Sequence, residues 1–224
     1  MSSGDHERLM LASLLRHPTV RPFKRVLREL QWRFKGRGIS NPPLPQHVAS
    51  LLFVCLGNIC RSPFAQAIAA HRVQGRSPSS LTFASAGIKT KQAAEPPEDA
   101  RKAAATFGVS LDGHRPQTMT QDLVDAYDMI VVMERQQLDH VRAAFPSRRD
   151  RVFLLPLFDS RASGIEREVI ADPFGAPAAE YRDCYSRIDR AVAELLSALA
   201  SQMDARRPGR HATDLPSSAS RAEP

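Results

Sequence analysis

Between positions 50 and 203, short apolar runs alternate with longer stretches in which apolar residues recur every three or four positions. Residues 51–54 are the first run, and they fit a buried strand followed at once by a polar, glycine-bearing loop. Pro63 then opens a segment in which Phe64, Ala67, Ile68 and His71 share one helical face. Residues 81–84 form a second strand candidate, ended by Ser85-Ala86-Gly87. The stretch 97–107 predicts a helix closed by Gly108. Residues 129–133 are continuously apolar, which suits a strand of a parallel sheet covered on both faces. Residues 135–145 predict a helix, and 152–155 a fourth strand. From 181 to 199, Tyr181, Cys184, Tyr185, Ile188, Val192, Leu195 and Leu199 trace one stripe, the strongest helical pattern in the chain. Strands and helices in alternation predict an α/β domain.

The flanks follow other patterns. In residues 19–34, Val20, Phe23, Leu27, Leu30 and Phe34 are spaced three and four apart, and Val26 widens the stripe. Arg21, Lys24, Arg25, Arg28, Arg33 and Lys35 supply the opposite side, so a basic amphipathic helix is expected. Gly36 and Gly38 end it, and Asn41-Pro42-Pro43 with Pro45 predicts a stiff linker. After Met203 the chain turns to Arg, Pro, Ser and Ala without a period, the pattern of a disordered tail. The expected organisation is an extension over 1–49, one domain over 50–203 and a tail over 204–224. A length of 224 residues with 42% hydrophobic residues suits one domain with appendages.

Charge and cysteine usage narrow the class. The net charge is +7, but residues 1–49 hold nine Lys/Arg against three Asp/Glu, while 50–203 hold eighteen of each. The pI of 9.8 is therefore mostly a property of the arm, and no nucleic-acid partner is expected for the domain. Three cysteines, at 55, 60 and 184, cannot form a disulfide framework. No apolar run reaches the ~18 residues of a spanning helix. Asp5, Glu7, Arg8 and Arg16 interrupt any secretory apolar core. A cytoplasmic, reducing setting is the expectation.

The chemistry concentrates in Val54-Cys55-Leu56-Gly57-Asn58-Ile59-Cys60-Arg61-Ser62-Pro63. Cys55 and Arg61 bracket five residues, Leu56, Gly57, Asn58, Ile59 and Cys60. A loop of that length can curl its backbone N–H groups into a nest for a tetrahedral oxyanion. The helix that follows points its N-terminal dipole at the same spot. Arg61 can close the bowl with a two-pronged guanidinium that matches phosphate oxygens. Cys55 sits at the bottom, where this positive field favours the thiolate, a nucleophile for phosphoryl transfer. Gly57 is expected to give the loop access to φ values that a side chain would penalise. Asn58 can hold the loop's shape, and Ser62 can donate a proton to the thiolate. A zinc site fits poorly, because Cys55 and Cys60 are five apart with no second pair and no histidine close by. The departing oxygen needs an acid, and Asp172 in Ile170-Ala171-Asp172-Pro173-Phe174-Gly175 is the best candidate. Pro173 restrains it toward extended geometry, so its side chain can reach over a pocket, and Phe174 can wall the substrate ring. The same carboxyl can next serve as base for water.

The run 53–63 resembles the signature of the low-molecular-weight protein tyrosine phosphatases, and the resemblance covers roughly residues 50 to 200. It implies that Cys55 is the nucleophile, Arg61 the phosphate ligand and Asp172 of Asp172-Pro173 the proton donor. Asn58 and Ser62 fall on the family's structural asparagine and loop serine. Ser85-Ala86-Gly87 resembles the family's second-strand ending, and Ser85 is expected to bond Asn58 behind the loop. His114-Arg115 resembles the family's His-x-Ser/Ala-Arg/Lys region in altered form, and Asp128 the start of its third strand. The resemblance implies a three-layer doubly wound fold with a four-stranded parallel sheet and helices on both faces. It implies hydrolysis of phosphotyrosine in proteins, no metal or other cofactor, and a monomer. It also implies a reversible disulfide between Cys60 and Cys55; the plainer reading is that Cys60 packs against the loop. Cys184 is expected in the core.

Other readings share the loop. Protein arginine phosphatases resemble this chain in their Asp-Pro-Phe-Gly sequence, but they carry a threonine where Ile59 stands. An isoleucine offers an apolar wall suited to an aromatic ring. Thioredoxin-coupled arsenate reductases need two further cysteines late in the chain, where only Cys184 exists. A non-catalytic phosphate-binding module would not need nucleophile, arginine and acid together. For the extension, contact with a membrane surface through residues 19–35 stands beside a helix docked on the domain or a translation start placed too early. A membrane-associated bacterial tyrosine kinase is a partner that the first of these would suit.

Overall fold

A computed structural model describes residues 39–74, 81–91 and 93–205. The amphipathic helix at 19–34, the membrane contact through 19–35 and the tail beyond 205 lie outside the described residues. Four strands, β1 (Ser50–Cys55), β2 (Thr82–Gly87), β3 (Met129–Val132) and β4 (Val152–Leu154), form one parallel sheet in the order β2-β1-β3-β4. The helices are α1 (Arg61–Val73), α2 (Glu98–Ala105), α3 (Gln121–Asp125), α4 (Arg135–Ala144) and α5 (Ala178–Asp204), with three short 3-10 segments after α4.

The strands are apolar at successive positions because both faces are covered. Leu52, Val54, Ile130, Val132, Val152 and Leu154 pack with Val124 of α3 and Leu138 and Val141 of α4. Leu51, Phe53, Met129, Val131 and Phe153 face the other way, onto residues of α1, α2 and α5. Helices on both sides of a parallel sheet make the expected doubly wound, three-layer fold.

Three differences from the expected elements have local causes. β2 continues through Gly87, because Ser85, Ala86 and Gly87 still pair with Phe53, Val54 and Cys55. Helix α3 has five residues, and Val124 is its one fully buried side chain, so it carries no readable period. In α1 the buried positions are Arg61, Ser62, Pro63, Phe64, Ala65, Ile68 and Ala69, whereas His71 is exposed and Ala67 half-buried. α1 is gripped between sheet and α5, which widens its buried face toward its start. There Phe64 stacks on Tyr185 with ring centroids 3.9 Å apart, and further along Arg72 makes a two-pronged bond to Asp189 at 2.7 and 2.6 Å.

Residues 39–49 are docked on the domain. Asn41 Oδ1 accepts from Leu154 N–H at 2.7 Å, and Asn41 Nδ2 donates to Leu154 O at 3.1 Å. The carboxamide thus imitates a neighbouring strand at the open edge of β4. Leu44 and Val48 pack on the α5 side, Ile39 on the other, and Gln202 Nε2 donates to Pro45 O at 3.1 Å.

Candidate active site

β1 ends at Cys55 and α1 begins at Arg61, so the five residues between them form the loop where strand and helix dipole meet. The Cys55 Sγ lies 3.0 Å from Ser62 Oγ and accepts from Asn58 N–H at 3.3 Å. The first turn of α1 carries no acidic side chain, and Cys60 at its cap makes no side-chain bond to it. The helix start thus keeps its positive character for an anion.

The loop's left-handed residue is Asn58, at φ 54°. Gly57 does not have a positive φ, contrary to its expected role, and a Cβ there would make only ordinary contact with Ile59. Asn58 tolerates the strained backbone because its side chain is fully engaged. Nδ2 donates to Ser62 Oγ and to Ser85 Oγ, both at 2.9 Å, and Oδ1 accepts from Gln117 N–H at 2.9 Å. The expected Ser85–Asn58 bond is therefore present. The glycine that the loop needs for space is Gly87, where a Cβ would stand 2.9 Å from Leu56 O and 3.1 Å from Asn58 Cβ. Behind the loop, half-buried His114 Nε2 bonds Asn58 O at 2.8 Å, and burial lowers its pKa.

Arg61 is only 1% exposed and has three acceptors. Its NH2 donates to Asp172 Oδ2 at 2.8 Å, and its NH1 to Glu134 Oε1 at 3.2 Å and Ile170 O at 3.1 Å. Burial works against the charge, but Asp172 and then Glu134 outweigh it and hold the pKa above the ordinary arginine value. The Cys55 loop, Arg61 and the loop carrying Asp172 thus meet. Phe174 and Leu56 stand 54% and 47% exposed on the two loops that converge here. Ile59 is half-buried and packs on the α5-side core.

The segment leading to Asp172 is tied to the strand ends. Val169 bridges Glu134 in antiparallel sense, Ile170 N–H donates to Met133 O at 2.9 Å, and Arg135 N–H to Glu168 O at 2.9 Å. Gln137 Nε2 donates to Glu134 Oε1 at 2.6 Å, and Gln137 Oε1 accepts from Met133 N–H at 3.0 Å. Glu134, Gln137 and Gln117 carry no local motif, and the residue pattern did not single them out; Gly87 stood out only as the end of the second strand, not for the space it leaves the loop.

The three cysteines are free and buried. Burial, with Asp172 and Cys55 nearby, pushes the Cys60 thiol up, and burial pushes Cys184 up to about 12. Cys184 lies on the buried face of α5, in the core, as expected. Among the described residues no group of three or more His, Cys, Asp or Glu is gathered to hold a metal.

Comparisons with known proteins agree with this geometry. The family described as low molecular weight phosphotyrosine protein phosphatase matches residues 50–205. The probable low molecular weight protein-tyrosine-phosphatase AmsI of Erwinia amylovora is 31% identical over 153 residues, 68% of this chain and 99% of that protein. The low molecular weight protein-tyrosine-phosphatase Etp of Escherichia coli K12 is 32% identical, covering 65% of this chain and 90% of Etp. The crystal structure of AmsI superposes with a TM-score of 0.60 at 32% identity, over 68% of this chain and 93% of that one. The YwlE arginine phosphatase of Geobacillus stearothermophilus superposes with a TM-score of 0.63 at 26% identity, over 72% and 99%. Sequence match, strand order and the loop from Cys55 to Arg61 lead to one assignment: the chain belongs to the low molecular weight phosphotyrosine protein phosphatase family.

Proposed function

We propose that this chain is a protein-tyrosine-phosphatase working through a phosphocysteine on Cys55. The observation that carries the reading is the meeting of Cys55, Ser62, Arg61 and Asp172 around one helix start. Phosphate oxygens take the loop amides and the guanidinium edge of Arg61, which Asp172 shares. The Cys55 thiolate attacks phosphorus in line with the ester oxygen. The S–P bond forms, the P–O bond breaks, and protonated Asp172 passes its proton to the departing phenolate. Water then attacks phosphorus, and Asp172 accepts its proton. The S–P bond breaks, inorganic phosphate leaves, and the Ser62 hydroxyl steadies the returning thiolate. Leu56, Ile59 and Phe174 offer apolar surface to the substrate ring.

The partner is a tyrosine-phosphorylated protein. For a basic arm the reading is peripheral contact with an anionic membrane through residues 19–35, suited to a membrane-associated tyrosine kinase as substrate. The protein acts as a monomer in the reducing cytoplasm, where Cys55 stays available. No described helix is long and apolar enough to cross a membrane. A second reading, hydrolysis of phosphoarginine, is favoured by the likeness to the YwlE arginine phosphatase and by Asp172-Pro173-Phe174-Gly175. Kinetics on matched phosphotyrosine and phosphoarginine peptides, with Cys55→Ser as control, test both. The proposal expects phosphotyrosine turnover that Cys55→Ser abolishes; preference for phosphoarginine would reverse the specificity, and turnover by Cys55→Ser would refute the mechanism.

A further inference from the structure

Asp172 has little of its own to aim it. Among the described residues its carboxylate bonds Arg61 NH2 at 2.8 Å and Phe174 N–H at 3.3 Å, and its side chain is 41% exposed. The first of these partners is the one phosphate oxygens compete for. Once substrate is bound, the carboxyl's place over the departing oxygen depends on the backbone that carries it.

That backbone is held from α5. Arg187 NH1 donates to Val169 O at 2.8 Å and NH2 donates to Glu166 O at 2.7 Å. Glu166 lies in the 3-10 segment Gly164–Arg167, and Val169 is three residues before Asp172. Arg187 is itself fixed by buried Asp159, 3.8 Å from its Nε, which Arg190 holds at 3.1 and 3.4 Å. The next residue after Val169, Ile170, spans Met133 and Arg61. On the far side of Asp172, the chain reaches α5 again within a few residues, at Ala178. The segment before the acid is therefore tied to α5 through Arg187 and to the strand end and Arg61 through Ile170. Two neutral carbonyls gripped by a single planar guanidinium resist both sliding and twisting of the segment.

We propose that Arg187 is a positioning residue for the general acid: its fork on Glu166 O and Val169 O sets where the Asp172 carboxyl stands when the substrate's leaving oxygen departs. The inference rests on the reading of Asp172 as that acid. A misplacement of about 1 Å at a proton-transfer site can cost on the order of 100-fold. The loss must fall on substrates that need the proton, whereas a merely structural role would lower all of them alike.

The test compares kcat/KM for phenyl phosphate, whose strongly basic phenolate needs protonation, with that for 4-nitrophenyl phosphate, whose leaving group needs it little. kcat/KM reports the steps through thiol phosphorylation, so the later hydrolysis does not enter. Arg187→Met is expected to lower the phenyl-to-nitrophenyl ratio about tenfold, and Arg187→Lys, which keeps one donor, about threefold. Arg72→Gln cuts another tie on α5 without reaching the loop, and is expected to leave the ratio within about twofold. If Arg187→Met does not fold, Arg187→Lys decides. A ratio within about twofold of wild type for the Arg187 variants, or an equal fall in Arg72→Gln, overturns the inference. Asp172→Asn separates the two layers. A ratio unmoved there sinks the acid assignment, while a fall there without one at Arg187 sinks only the role of Arg187.

Discussion

Asn58 Nδ2 reaches Ser62 and Ser85, its Oδ1 receives Gln117 N–H, and its own φ is 54°. Asn58→Ala removes all three bonds, leaves the buried Ser62 and Ser85 hydroxyls without their donor and Gln117 N–H without its acceptor, and leaves a left-handed alanine. A stability loss of about 3 kcal/mol is expected from urea unfolding, with kcat down at least about tenfold. His114, bonded to Asn58 O, gives this network a pH dependence. Burial, the largest influence, puts its folded pKa below the ordinary 6.5. The unfolded chain therefore binds the proton first, so stability present above pH 6.5 is lost as pH falls below it. Unfolding midpoints measured across that range should fall less steeply in His114→Gln than in wild type. Cys55, Arg61, Ser62 and Asn58 were legible in the residue pattern because their chemistry is packed into eight consecutive positions. Glu134 was not, because it meets Arg61 only through the fold, 73 residues away. Gly57 misled for a different reason: the conformational freedom a glycine offers was used one position later, by an asparagine whose bonds offset the strain.

The α1–α5 contact aims the loop, since α1 begins where the loop ends. Phe64 stacks parallel on Tyr185, and Tyr185 Oη donates to Cys60 O at 3.3 Å, tying α5 directly to the helix cap. Phe64→Ala should cost about 3–5 kcal/mol in chemical denaturation, because the cavity lies between sheet and helix and cannot collapse freely. β1, β3 and β4 were readable as unbroken apolar runs because both faces of the sheet are covered. The stripe of α5 was readable over 181–199, but its ends were not. Pro177 caps the start, and the last turn, with half-buried Gln202 on Pro45 O, has no apolar signal. α3 escaped notice because five residues with one buried side chain leave no period to count.

Across the whole molecule, residues 39–49 change what the extension is attached to. The prolines suggested a spacer, yet the segment straps the β4 edge, and Asn41 could be placed only once Leu154 lay beside it. Removing residues 1–38 should leave the melting temperature nearly unchanged, whereas removing 1–45 should lower stability by about 1–3 kcal/mol. The second truncation also bares a strand edge, so light scattering should show it associating as concentration rises, and the first should not. The geometry of that strap bears on how substrates are met. Leu154 is the last residue of β4 and Cys55 the last of β1, two strand spacings away, about 10 Å across the sheet. Cargo fused or recruited upstream of Ile39 is thus tethered on the same rim as the Cys55 sulfur, and a phosphorylated tail sharing that tether would be dephosphorylated at a rate independent of its bulk concentration.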